Sequence, residues 1–184
     1  MTAAAPSASD TVSAPTGADL RVVVAGVSSS GKSTVGAALA AALGCRFLDA
    51  DDFHPPANVA KMAGGVPLTD TDRWPWLDRL NQELRTAADR GETVVLACSA
   101  LRVIYRERLA IGVRGFRLAL LDGSPELLAE RAAARTHRYM PPSLLTSQIA
   151  TLEPLAEGMG QRFDIAVPVD ALVQSIRQWC QQPA

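Results

Sequence analysis

The apolar positions of this chain fall into two patterns that take turns along its length. Short runs, Arg21-Val22-Val23-Val24-Ala25, Cys45-Arg46-Phe47-Leu48, Thr93-Val94-Val95-Leu96-Ala97, Phe116 to Leu121 and Asp164 to Val167, read as five strands. Between them, apolar residues recur at helical spacing, as at Trp76, Leu77, Leu80 and Leu84 within Trp74 to Arg90. The same reading predicts helices over Thr34 to Leu43, Asn58 to Met62, Arg102 to Ala110, Ser124 to Arg135, Ser143 to Leu152 and Asp170 to Cys180. Gly44, Gly64-Gly65 and Gly91 close helices, Ser124-Pro125 opens one, and Pro67 to Arg73 reads as a polar loop. Strands alternating with helices predict an α/β fold, a parallel five-stranded sheet covered on both faces.

Composition narrows the class. A chain of 184 residues, 48% hydrophobic, fits one domain with one core, taken here as residues 20–184. A net charge of −1 argues against nucleic acid or an acidic membrane as principal partner, and no apolar run is long enough to span a bilayer. Met1 to Asp19 is Ala, Ser, Thr and Pro with no basic or apolar core, so a disordered leader is expected there and not a signal peptide. Cys45, Cys98 and Cys180 are odd in number and widely spaced, which suits buried thiols in a reducing cytoplasm.

The chemistry concentrates at Gly26-Val27-Ser28-Ser29-Ser30-Gly31-Lys32-Ser33, flanked by a strand before and a helix after. In that context the pattern is a phosphate-binding loop. Backbone N–H groups from Gly26 through Ser28, Ser29, Ser30 and Gly31, with the helix start at Thr34, cradle the phosphates of a nucleotide. Lys32 reaches the β- and γ-phosphates and the Ser33 hydroxyl takes Mg²⁺. Such a loop implies nucleotide binding, not transfer. Transfer also needs a group for the acceptor hydroxyl, and Asp49 and Asp51, two apart at the end of the second strand, are expected to point the same way. One of the two then accepts the hydroxyl proton, while the other helps to hold Mg²⁺. Arg131, Arg135 and Arg138 end a helix just before Met140-Pro141-Pro142, the composition of a lid over ATP at about residues 131–152.

Two further blocks carry a resemblance. His54-Pro55, Asn58, Lys61-Met62, Gly65, Pro67-Leu68, Asp70, Asp72-Arg73, Pro75-Trp76-Leu77 and Leu80-Asn81 form one. Cys98-Ser99-Ala100-Leu101 with Tyr105-Arg106, and Met140-Pro141-Pro142 with Leu144-Leu145, Ser147-Gln148 and Thr151-Leu152-Glu153-Pro154, form the other. From about Arg21 onward the chain resembles the gluconate kinases. That resemblance implies a P-loop fold like that of the nucleoside monophosphate kinases, and ATP-dependent phosphorylation of D-gluconate at its 6-hydroxyl by a homodimer. It also implies Asp51 as the residue that orients or deprotonates the hydroxyl, which leaves Asp49 to Mg²⁺, and His54, Lys61, Arg73, Arg106 and Gln148 as the sugar-acid pocket; Lys32 of the loop and Arg135 of the lid are expected as the catalytic cations. The chemistry agrees, because a carboxylate calls for arginine or lysine and a polyol for several polar partners.

The chain departs from the family pattern at Thr69, at Arg102 where lysine is common, and at Thr136-His137-Arg138-Tyr139 in the lid. Two other readings stay open at this point. One is a kinase of the same architecture for another substrate, such as shikimate; the other is a protein that holds ATP without transferring it.

Overall fold

The computed structural model describes residues 19–134 and 142–182. Its centre is a parallel sheet of five strands in the order β2-β3-β1-β4-β5, with β1 at Arg21–Ala25, β2 at Arg46–Asp49, β3 at Val94–Ala97, β4 at Phe116–Asp122 and β5 at Gln161–Asp164. The register runs Val23 to Leu96 on one side and Val23 to Leu118 on the other. Alternation along β1 divides the core. Val22 and Val24 face Val35 and Leu39 of α1 (Lys32–Leu43) and Leu172 and Ile176 of α7 (Val169–Cys180). Val23 and Ala25 face Leu77, Leu80 and Leu84 of α3 (Asp70–Asp89) and Leu109 of α4 (Val103–Ala110). Each of those leucines is fully buried, a gain of about 1.5–3 kcal/mol apiece.

The remaining helices are α2 (Pro56–Ala63), α5 (Pro125–Ala133) and α6 (Pro142–Thr151). Three sequence expectations change. The stretch 67–73 is not all loop, because Thr69 caps α3 with a reciprocal capping box to Asp72, so Asp70, Asp72 and Arg73 lie in the helix's first turn. The last strand sits three residues earlier than its apolar residues suggested. Phe163 and Leu121 pair in the ladder, while Ile165 packs beyond it. The second strand ends at Asp49, and Ala50–Phe53 makes a single 3-10 turn capped by the Asp49 carboxylate, which accepts from Asp51 N–H at 3.1 Å. The expected leader, Met1 to Asp19, lies outside the described residues apart from Asp19.

Candidate active site

The phosphate loop joins β1 to α1 and opens with three residues in the left-handed half of backbone space, Gly26 (φ 147°), Ser29 (φ 63°) and Gly31 (φ 94°). Gly26 has no room for a side chain, since a Cβ there would lie 2.7 Å from the Leu121 carbonyl oxygen. Gly31 leads into α1 without any side-chain cap, so the first N–H groups of that helix are left to whatever the loop encloses. Lys32 Nζ donates to Val27 O at 2.8 Å, which folds the ammonium back along the loop. Arg131 on α5 donates to Ile165 O at 2.6 Å, and its Nη1 would lie 3.9 Å from a Cβ on Gly31. Two cations therefore stand over the same loop.

The acidic turn comes to that loop through one bond. Ser33 Oγ donates to Asp49 Oδ2 at 2.7 Å, which places the hydroxyl and carboxylate oxygens together at the start of α1. Hard oxygens of this kind suit Mg²⁺, which keeps several waters and phosphate oxygens besides. Asp51 follows on the 3-10 turn, its carboxylate 89% exposed and 3.9 Å from His54 Nε2. The surrounding cleft partly desolvates that carboxyl and Asp49 adds like charge; together they raise it above its ordinary value against the pull of His54 and Lys32. His54 is itself held flat on Trp76 at a ring separation of 4.3 Å, and Trp76 Nε1 donates to Ala50 O at 2.8 Å. Burial lowers the imidazole below its usual range, so it is neutral near pH 7.

This arrangement corrects the geometry expected for the two carboxylates. They do not alternate along one strand, because the chain has already turned at Ala50. Nor is their strand next to the phosphate loop's strand, since β3 lies between β2 and β1. What joins them to the loop is α1, through Ser33.

Of the residues expected to meet the sugar acid, His54 stands beside Asp51 and Arg73 is near enough to act electrostatically on His54. Arg73 Nη1 donates to Leu68 O at 2.5 Å, and the guanidinium lies 5.6 Å from the Tyr105 ring centre, with no ion pair of its own among the described residues. Lys61 Nζ is engaged with Asp72 Oδ1 at 2.6 Å. Arg106 is in a different situation. It has no exposure at all and donates to the carbonyls of Ala100, Leu101, Glu153 and Pro154 at 2.8–2.9 Å. A guanidinium so buried and so engaged braces the β3–α4 connection against the end of α6. The structure places Gln148 at the phosphate loop, with its Oε1 accepting from Ser28 N–H at 2.7 Å. Arg135, Arg138 and the Thr136-His137-Arg138-Tyr139 segment lie outside the described residues.

Four residues that carried no role in the sequence complete the frame. Arg102 reaches Asp70 at 2.5 Å with one nitrogen and Glu153 at 3.3 Å with another, and Tyr105 donates its hydroxyl to Asp70. Tyr105 and Arg102 together hold the Asp70 carboxyl below its ordinary range. The departure from lysine at 102 matters physically, since a forked guanidinium serves two carboxylates at once. The blocks containing Asp70, Tyr105 and Glu153 were visible in sequence, but nothing in linear spacing pairs residues 32 to 51 positions apart.

The AAA domain family model matches residues 22–155. The chain is 48% identical over 132 residues to a gluconokinase of Gluconobacter oxydans, covering 72% of this chain and 74% of that one. It is 36% identical over 161 residues to the thermosensitive gluconokinase of Escherichia coli, covering 87% and 84%. Its fold is similar to the crystal structure of a gluconokinase from Sinorhizobium meliloti, with TM-score 0.80 and 43% identity over 89% of this chain and 93% of that one. A shikimate kinase from Acinetobacter baumannii shares the fold at TM-score 0.55 and 21% identity, covering 87% and 92%.

Proposed function

The chain belongs to the gluconokinase family, and from that premise we propose that it transfers the γ-phosphoryl group of ATP to the 6-hydroxyl of D-gluconate, giving 6-phospho-D-gluconate and ADP. The observation that carries the reading is the Ser33–Asp49 bond, which brings the acidic turn with Asp51 up to the phosphate loop. The loop N–H groups of Gly26, Ser28 and Ser30 are engaged with Ser99 O, Gln148 Oε1 and Val27 O, so the other N–H groups of the loop and of the start of α1 hold the phosphates, and Lys32 exchanges Val27 O for the β- and γ-oxygens. Arg131 adds positive charge where the transferring group spreads its own. Ser33 and Asp49 would hold Mg²⁺, whose charge neutralises bridging phosphate oxygens when bound. Asp51 orients the acceptor hydroxyl and takes its proton, which the raised carboxyl favours.

His54, fixed on Trp76, offers a neutral polar edge to the polyol, and Arg73 offers a guanidinium for the carboxylate end. Lys61 adds charge from behind its pair with Asp72, and Arg135, read from the run of arginines before Met140-Pro141-Pro142, is a second lid cation. The enzyme works as a cytoplasmic homodimer, each chain a single domain over residues 20–184 with the leader outside it. No described helix is long and apolar enough to cross a membrane.

The test is a coupled ADP-release assay with ATP, Mg²⁺ and a panel of sugar acids plus shikimate, with the phosphorylated position read by NMR. Gluconate-dependent turnover with the phosphate on carbon 6 is expected. Turnover on shikimate alone, or ATP binding with no acceptor-dependent ADP, would replace this reading with one of its two rivals.

A further inference from the structure

We propose that Gln148 is a positioning residue of the phosphate loop, holding the Val27–Ser28 peptide in the orientation that sets where the terminal phosphate of the nucleotide rests. The inference deepens the kinase reading above and rests on it. That one peptide is gripped from two directions. Its carbonyl oxygen, Val27 O, accepts from Lys32 Nζ at 2.8 Å and from Ser30 N–H at 3.3 Å, and its N–H, on Ser28, donates to Gln148 Oε1 at 2.7 Å across 120 residues of sequence. A peptide unit is planar, so turning either end turns the other. When Lys32 leaves Val27 O to meet the β- and γ-phosphates, the Ser30 N–H still holds the carbonyl end within the loop, and Gln148 holds the N–H end from outside it.

The grip comes from a fixed base. Just past α6, Glu153 N–H donates to Leu101 O at 2.9 Å, and the carbonyls of Glu153 and Pro154 both accept from the buried Arg106. The Glu153 carboxylate also accepts from Val103 N–H at 2.5 Å. The chain just past α6 is therefore tied to the β3–α4 connection, five residues beyond Gln148. The side chain's chemistry fits its place too. An uncharged amide satisfies the Ser28 N–H without adding negative charge beside a triphosphate, whereas a carboxylate of the same shape would repel it.

Two variants of the full chain separate this role from that of a sugar-acid ligand, with Gln148→Glu adding charge and Gln148→Leu removing the acceptor. Calorimetric titration with ATP and with ADP is done without gluconate, and KM for each substrate is then measured. For Gln148→Glu, ATP affinity is expected to fall about 10-fold and ADP affinity less, because ADP lacks the terminal phosphate. For Gln148→Leu, kcat/KM for ATP is expected to fall about 3- to 10-fold, the value of one neutral hydrogen bond. KM for gluconate stays within about 2-fold in both. Unchanged ATP affinity in both variants, a loss confined to gluconate, or an equal loss on both substrates overturns the proposal. Nucleotide affinity is read without acceptor, so a wild-type protein inactive on gluconate would sink the substrate assignment and leave this test standing.

Discussion

Replacing Arg106 with leucine removes the brace between the β3–α4 connection and the end of α6. The side chain is fully buried and its guanidinium satisfies four backbone carbonyls, those of Ala100, Leu101, Glu153 and Pro154. Leucine fills much of the stem's volume, but all four oxygens lose a charged donor, and those of Ala100 and Leu101 are buried where water does not readily replace it. Hydrogen bonds to a charged group contribute about 1.5–3 kcal/mol each, and relaxation of the two outer carbonyls toward solvent recovers part of the total. A net loss of about 3–5 kcal/mol follows, in line with the breaking of other buried charge networks. For a chain of this length that corresponds to a fall in Tm of roughly 10–15 °C. Thermal unfolding followed by circular dichroism measures it, alongside KM for gluconate on the folded variant at low temperature. A Tm within about 3 °C of wild type, together with a gluconate KM raised about 10-fold or more, would return Arg106 to the sugar-acid pocket and refute the reasoning.

Asp51→Asn is expected to lower kcat by about 10²-fold with ATP affinity retained, as read by steady-state kinetics and calorimetry. The same residue sets a pH limb. A base must be ionised, so wild-type kcat falls as pH drops through the titration of the Asp51 carboxyl, and the variant loses that limb. Stability has its own acid limb at Asp72, whose carboxyl is lowered to about 2 by Lys61 and by Thr69. A depressed carboxyl stabilises the fold above its unfolded value near 3.8 and gives up that contribution as pH falls toward 2, so Asp72→Asn flattens the acid side of a Tm-against-pH curve. Gly160→Ala places a Cβ 2.1 Å from the Leu118 carbonyl oxygen, and the displaced start of β5 is expected to cost about 2–3 kcal/mol by chemical denaturation, with KM for both substrates unchanged.

The sequence by itself determined the fold class, the phosphate loop and the family, because each is written in contiguous residues. Val22 to Ala25 alternate between two helical layers, and the loop's glycines, lysine and serine sit at fixed offsets on one strand–helix turn. The acidic residues were legible as a feature of that end of the sheet, but their placement was not. Asp49 bends its own chain by accepting from Asp51 N–H, and side-chain alternation cannot foresee a carboxylate that caps the turn after its strand. Tertiary structure alone decided which cations are engaged inside the frame and which face the cleft. Arg73 and Arg106 look equally suited to a carboxylate in one dimension. Only packing puts Arg106 among four carbonyls drawn from two distant connections, and only packing brings Gln148 to Ser28. Hydrogen bonds depend on separation in space, and the chain's pattern of apolar and polar residues fixes that separation for neighbours within an element far better than for partners on opposite ends of the fold.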